Sequence, residues 1–271
     1  MTAPSVLVLL TEPDGARSTL DVAVLAARAL ETSGGAPLIE ALHVRLDPAS
    51  TIMTSEEVLT PQRVLAVEGA SADEGAKVHA AFEAWCAAGH AGRWEEVVGV
   101  PADEIQRRGA GADLVVMTLP APHPTSAEQA ALEAALFATG RPVLVVPAGW
   151  QGGFGRHFAV GWRDSPATIQ ALTALRPWLA AAETVTALTV GDAPVPSADG
   201  PLAGLPGKLA HRVLADAGGE DGAALLAAAL DAGADGLALG AYRRGRMLEW
   251  MLGGVTEHVL HHARLPLLLA H

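Results

Sequence analysis

Residues Gly240 to Thr256 read GAYRRGRMLEWMLGGVT, and they combine the residue types that hold phosphate. Gly240 permits a sharp turn and close approach of a ligand to the backbone. Gly253 and Gly254 precede a helical pattern, EHVLHHA. The N–H groups that open a helix have no intrahelical partner, and with the helix dipole they favour an anion. Arg243, Arg244 and Arg246 add charge that pairs with phosphate oxygens. The competing reading is a solvated arginine loop whose apolar second half (Met247, Leu248, Met251, Leu252) packs against protein. Those four residues follow the spacing of one face of a helical turn.

Other groups carry less. His258 and His262 stand one helical turn apart, but a zinc site needs three or four ligands and a supporting shell. No metal is expected. There is no G-x-S-x-G elbow and no P-loop lysine, so no catalytic residue is assigned. The single cysteine, Cys86, excludes an intrachain disulfide and reads as a small buried hydrophobe on a helix.

The loop must be positioned by an alternating framework. Short apolar runs recur at Ser5–Leu10, Pro37–Val44, Arg93–Val100, Asp113–Met117 and Pro142–Pro147. A second set follows at His157–Trp162, Thr184–Val190, His211–Asp216, Gly236–Gly240 and Pro266–Ala270. Runs such as LVVM and VLVVP lack a polar alternate face, as strands covered on both sides do. Helical patterns separate most of them, which implies right-handed βαβ units. GADLVVM echoes GADGLAL, and GRPVLVVPA echoes ARLPLLLAH, at matching places in the two halves. The chain therefore reads as two related domains, 1–149 and 157–271, joined by the Gly-rich linker 150–156. The second is shorter: PVPSADGPLAGLPGK, with four prolines and three glycines, stands where the first has a long helix.

Net charge is −12, with 30 acidic against 18 basic residues, which opposes a nucleic-acid partner. No apolar stretch approaches the ~18 residues that span a bilayer, so no membrane partner is expected. The opening MTAPSVLVLLTEPDG lacks a basic start, and a cytoplasmic location is expected.

The chain resembles the universal stress protein family, in its tandem bacterial type, over both halves. The resemblance is strongest from Asp235 to His271. Nucleotide-binding members carry Gly, two residues, Gly, nine residues, then Gly and Ser or Thr. Gly240 and Gly253 match; Arg243 replaces the second glycine, and Gly254 stands in the Ser/Thr slot. The Asp that such members place after the first strand falls on Arg163, with Asp164 one place later. The resemblance implies two Rossmann-like α/β domains, each a five-stranded parallel sheet of order 3-2-1-4-5 between helices, paired through their fifth strands as an intramolecular pseudo-dimer. Further homodimerisation is left open.

The resemblance also implies a non-catalytic stress-response binding and signalling module. At most one adenine nucleotide, ATP or AMP, would be held, by Gly240, Arg243, Gly253, Gly254, Val255 and Thr256, with Arg163 and Val190 opposite. The alternative is a nucleotide-free scaffold for an unknown protein partner; an enzyme cleaving nucleotide phosphates is the third reading. In the first half, alignment of Pro142 with Pro266 sets Gln129 and Ala130 against Gly253 and Gly254, and prolines at 120, 122 and 124 deny the loop backbone donors. No nucleotide is expected there.

Overall fold

A computed structural model describes residues 3–31, 35–46, 61–121, 124–192, 194–197, 199–205, 208–216, 218–241 and 254–271. The first half runs β1 (Ser5–Leu9), α1 (Pro13–Ala27), β2 (Leu38–Leu46), α2 (Pro61–Ala87), β3 (Arg93–Gly99), α3 (Pro101–Gly109), β4 (Leu114–Thr118), α4 (Ser126–Ala138) and β5 (Val143–Val146). The second runs β6 (His157–Gly161), α5 (Pro166–Ala174), α6 (Arg176–Ala181), β7 (Thr184–Val190), β8 (Lys208–Leu214), α7 (Asp221–Asp231), β9 (Gly236–Gly240), α8 (Gly254–His262) and β10 (Leu267–Ala270).

All ten strands form one sheet, ordered β3-β2-β1-β4-β5-β10-β9-β6-β7-β8. Each half thus has the order 3-2-1-4-5, and every pairing within a half is parallel. The halves meet where β5 and β10 pair antiparallel, Leu267 opposite Val145 and Leu269 opposite Val143. The central strands carry uninterrupted apolar runs because helices cover both of their faces: β4, β5 and β10 are buried throughout. One apolar layer, under α1, α2, α5 and α6, crosses the join; Trp178 on α6 donates its indole N–H to the Ala26 carbonyl of α1 at 2.9 Å. The other layer lies under α3, α4, α7 and α8.

Local chemistry accounts for several boundaries. Asp235 accepts the backbone N–H groups of Gly155, Arg156 and His157, fixing the start of β6, as Asp113 does for Ser5 at β1. The helical pattern 165–182 divides into α5 and α6 at Leu175, because Pro177 supplies no N–H and crowds the preceding turn. α2 begins ten residues earlier than its pattern suggests, and β8 begins at Lys208 rather than His211. Cys86 is half-buried, packed at the edge of the first layer. Among the described residues, turns rather than a helix join β7 to β8, so nothing corresponds to α2 there.

Candidate functional site

A parallel sheet exposes its ligand-accepting crevice at the carboxyl ends of the strands, where strand order reverses. In the second half β6 lies between β7 and β9, so the crevice opens above Gly161, Val190 and Gly240. A cavity of about 270 Å³ occupies that place. Its floor is Leu188, Leu225 and Leu239; its rim includes Arg163, Ser165, Asp221 and the first turn of α8.

Each lining group has a reason to be there. Gly161 ends β6 at the cavity, where a Cβ would overlap the side chain of Leu239. Ser165 caps α5, accepting the Thr168 N–H at 3.2 Å. Trp162 is buried and anchors its indole N–H on the Pro194 carbonyl at 2.9 Å, which leaves the next residue, Arg163, exposed at the rim. Thr256 is buried, and its hydroxyl donates to the Gly240 carbonyl at 3.2 Å. That bond ties the start of α8 to the end of β9. The opening N–H groups of α8 are thereby held beside the strand end. A Cβ at Gly254 meets nothing within 4 Å.

Of the sequence-derived residues, Arg163, Val190, Gly240, Gly254, Val255 and Thr256 all line this one cavity. Arg243 and Gly253 lie outside the described residues, as do Arg244, Arg246 and Met247–Leu252. Ser165 lies in the stretch after β6 where such a sheet is expected to place a ligand, and the structure adds Thr168 and Asp221, which no spacing rule pointed to. His258 and His262 stack at 4.2 Å, and His262 Nδ1 meets the His258 carbonyl at 2.8 Å. Among the described residues no group of three or more His, Cys, Asp or Glu is placed to hold a metal ion.

The matching place in the first half is built differently. β1 lies between β2 and β4, and a cavity of about 280 Å³ opens above them. Its walls are Leu9, Leu42, Val44, Ile105 and Ala131, and its rim carries Glu12, Glu74, Thr125 and Glu128. Ala130, set against Gly254 by the alignment, lies inside α4 rather than at its start. The first turn of α4 is closed by a capping box. Thr125 Oγ1 accepts the Glu128 N–H at 3.2 Å, and the Glu128 carboxylate accepts the Thr125 N–H at 2.6 Å and its hydroxyl at 2.7 Å. A carboxylate therefore occupies the helix end that an anion would need.

Glu128 also meets Glu12. That hydrogen bond, then burial, then the charges of Glu128, Asp14 and Glu74, raise the Glu12 carboxyl from 4.5 to about 7. The same bond and the Thr125 donors lower Glu128. The pair holds one proton, mainly on Glu12.

Residues 157–271 match the profile of the Universal stress protein family. The resemblance expected from the sequence therefore rests on the second half. The first half lies outside that match and shares the fold. Over the whole chain, the structure resembles a universal stress protein from Archaeoglobus fulgidus DSM 4304, with a TM-score of 0.62 and 15% identity, covering 97% of this chain and 95% of that one. It also resembles a functionally unknown protein from Pseudomonas aeruginosa PAO1, with a TM-score of 0.56 and 13% identity, covering 99% and 92%. At these identities the likeness is one of fold. No curated protein matches the chain in sequence. Among the described residues no helix is long and apolar enough to cross a membrane.

Proposed function

We propose that the protein is a non-catalytic stress-response binding module that holds one adenine nucleotide, ATP or AMP, in the crevice of its universal stress domain. One observation carries this reading: six residues chosen from the family's spacing, Arg163, Val190, Gly240, Gly254, Val255 and Thr256, line a single cavity at the strand-order reversal. In that pose the first-turn N–H groups of α8 receive the phosphates, Arg163 adds charge at the rim, and Val190 with Leu188 forms an apolar wall for the base.

Isothermal titration of ATP and AMP, with magnesium, into the full chain tests this. Saturable binding at one site per chain, weakened by Arg163→Glu, is the expected result. An Arg243→Gly variant runs beside it, because Arg243 stands in the family's second glycine slot. Binding gained only by that variant would show that the arginine closes the crevice to nucleotide. Silence from both would sink the nucleotide reading. The protein-scaffold reading would then lead; it is favoured by Leu209 and Val213, which lie exposed on the edge strand β8.

A further inference from the structure

The first-half crevice keeps the position and size of a ligand site while rejecting the ligand class of its counterpart. It sits at the carboxyl ends of β1, β2 and β4, where strand order reverses. About 280 Å³ is close to the size of its counterpart, so volume does not separate the two crevices; the chemistry of the rim does. The walls are apolar and rigid: Leu9, Leu42, Ile105 and Ala131 are each at most 2% exposed. The rim is acidic, and the helix end that would receive an anion is filled by Glu128.

Among the described residues, nearby cations do little to neutralise this rim. Lys77 reaches Glu74 at 3.3 Å, but the lysine is mostly in water and the glutamate is partly so, where such a pair is weak. Arg45 is next to the wall residues Val44 and Leu46 in sequence, but strand alternation sends it to the other face of the sheet, where it pairs with Glu96 at 3.1 Å. Glu12 and Glu128 are left facing each other, and with Asp14 and Glu74 they make a local excess of negative charge.

We propose that the first-half crevice binds a small organic monocation, a protonated amine with an apolar body. The body enters between Leu9, Leu42, Ile105 and Ala131, and the ammonium lies between the carboxylates of Glu12 and Glu128. An ammonium donates to both carboxylates and replaces the proton they share. Binding below pH 7 therefore releases that proton from Glu12 to solvent, with no bond made or broken elsewhere. Affinity rises as pH rises through about 7, while the amine stays charged.

The probe is hexylammonium, titrated calorimetrically into the full chain at pH 6 and pH 8, beside hexanol and hexanoate. Glu128→Gln keeps the capping pattern and removes the charge. Ala127→Leu narrows the cavity from the first turn of α4. The expected result is one hexylammonium site, several-fold tighter at pH 8, with hexanol and hexanoate about tenfold or more weaker, as for loss of a charged hydrogen bond. Glu128→Gln weakens hexylammonium by about tenfold on the same basis, and Ala127→Leu weakens it by taking up space that the apolar body needs. Glu12→Gln removes the pH dependence. Equal binding of hexanol, absence of saturable binding at millimolar probe, or binding indifferent to both the Glu128 and Ala127 variants would each overturn the proposal.

Discussion

The two crevices share strands, order and position, and differ almost wholly at the rim. In the second half Gly161 ends the first strand, Arg163 follows, and α8 presents its opening turn beside Gly240. In the first half Leu9 stands at the equivalent strand end, Thr11 and Glu12 take the places of Arg163 and Asp164, and α4 presents a turn already satisfied by Thr125 and Glu128. The registers agree, since Leu10 donates to the Leu42 carbonyl just as Trp162 donates to that of Leu188. The difference teaches that the sheet fixes where a ligand can sit, while a few residues at strand ends and helix starts fix its charge.

The comparison can be broken or sharpened in order of expected effect. Leu42→Ala and Leu188→Ala truncate equivalent buried walls, and each should cost about 2–5 kcal/mol of stability by denaturant melts. Unequal losses, one negligible, would show that the floors are not equivalent. Arg163→Glu should weaken ATP by the equivalent of about 1.5–3 kcal/mol in calorimetry and leave hexylammonium unchanged. A loss of both ligands would mean that the crevices are coupled. Thr125→Ala removes the cap of α4 and should cost about 1 kcal/mol in a thermal or denaturant melt. Gly254→Ser restores the family's hydroxyl at a position with open space and should strengthen ATP a few-fold without lowering the melting temperature.

The smallest effect is electrostatic. Glu12 titrates near 7 when folded and near 4.5 when unfolded, so the folded state holds the extra proton between those values. Its contribution favours folding at the acidic end and is lost as pH rises through 7. The lowered Glu128 acts in the opposite sense, with stability lost as pH falls. Glu12 is exposed, so solvent screening keeps the effect small. Glu12→Gln should melt like the wild type at pH 5 and slightly higher at pH 8; a lower melting temperature at pH 8 would contradict the carboxylate pairing.

The strands were readable because burial on both faces leaves no polar alternate positions, as in LVVM and VLVVP. β8 was misread at its start because it is an edge: Leu209, Ala210, Arg212 and Val213 are exposed, and no buried run marks where it begins. The early part of α2 is hidden by Gly69, which lowers helix propensity; farther along, His43, Arg45 and Glu96 come within 3.4 Å of a Cβ at Gly75, a close approach that only the tertiary structure reveals. The second crevice was legible because its residues follow a family spacing. The first was not, because Glu12, Glu74 and Glu128 come from three separate elements. One signal was available: Thr125-Ser126-Ala127-Glu128 is a capping-box pattern, and it could have marked a helix end closed to anions.

The antiparallel join of β5 to β10 also sets a clock on synthesis. β5 ends at Val146 and its partner begins at Leu267, so 267 − 146 = 121 residues must be added before the edge is covered. At ~5–20 residues per second that is roughly 6–24 s during which a fully apolar strand edge has no native neighbour. A nascent first half in this interval is a template for any other unpaired strand, including β5 of the next ribosome's chain. The same pairing that completes the ten-stranded sheet thus leaves its half-finished form with an open apolar edge.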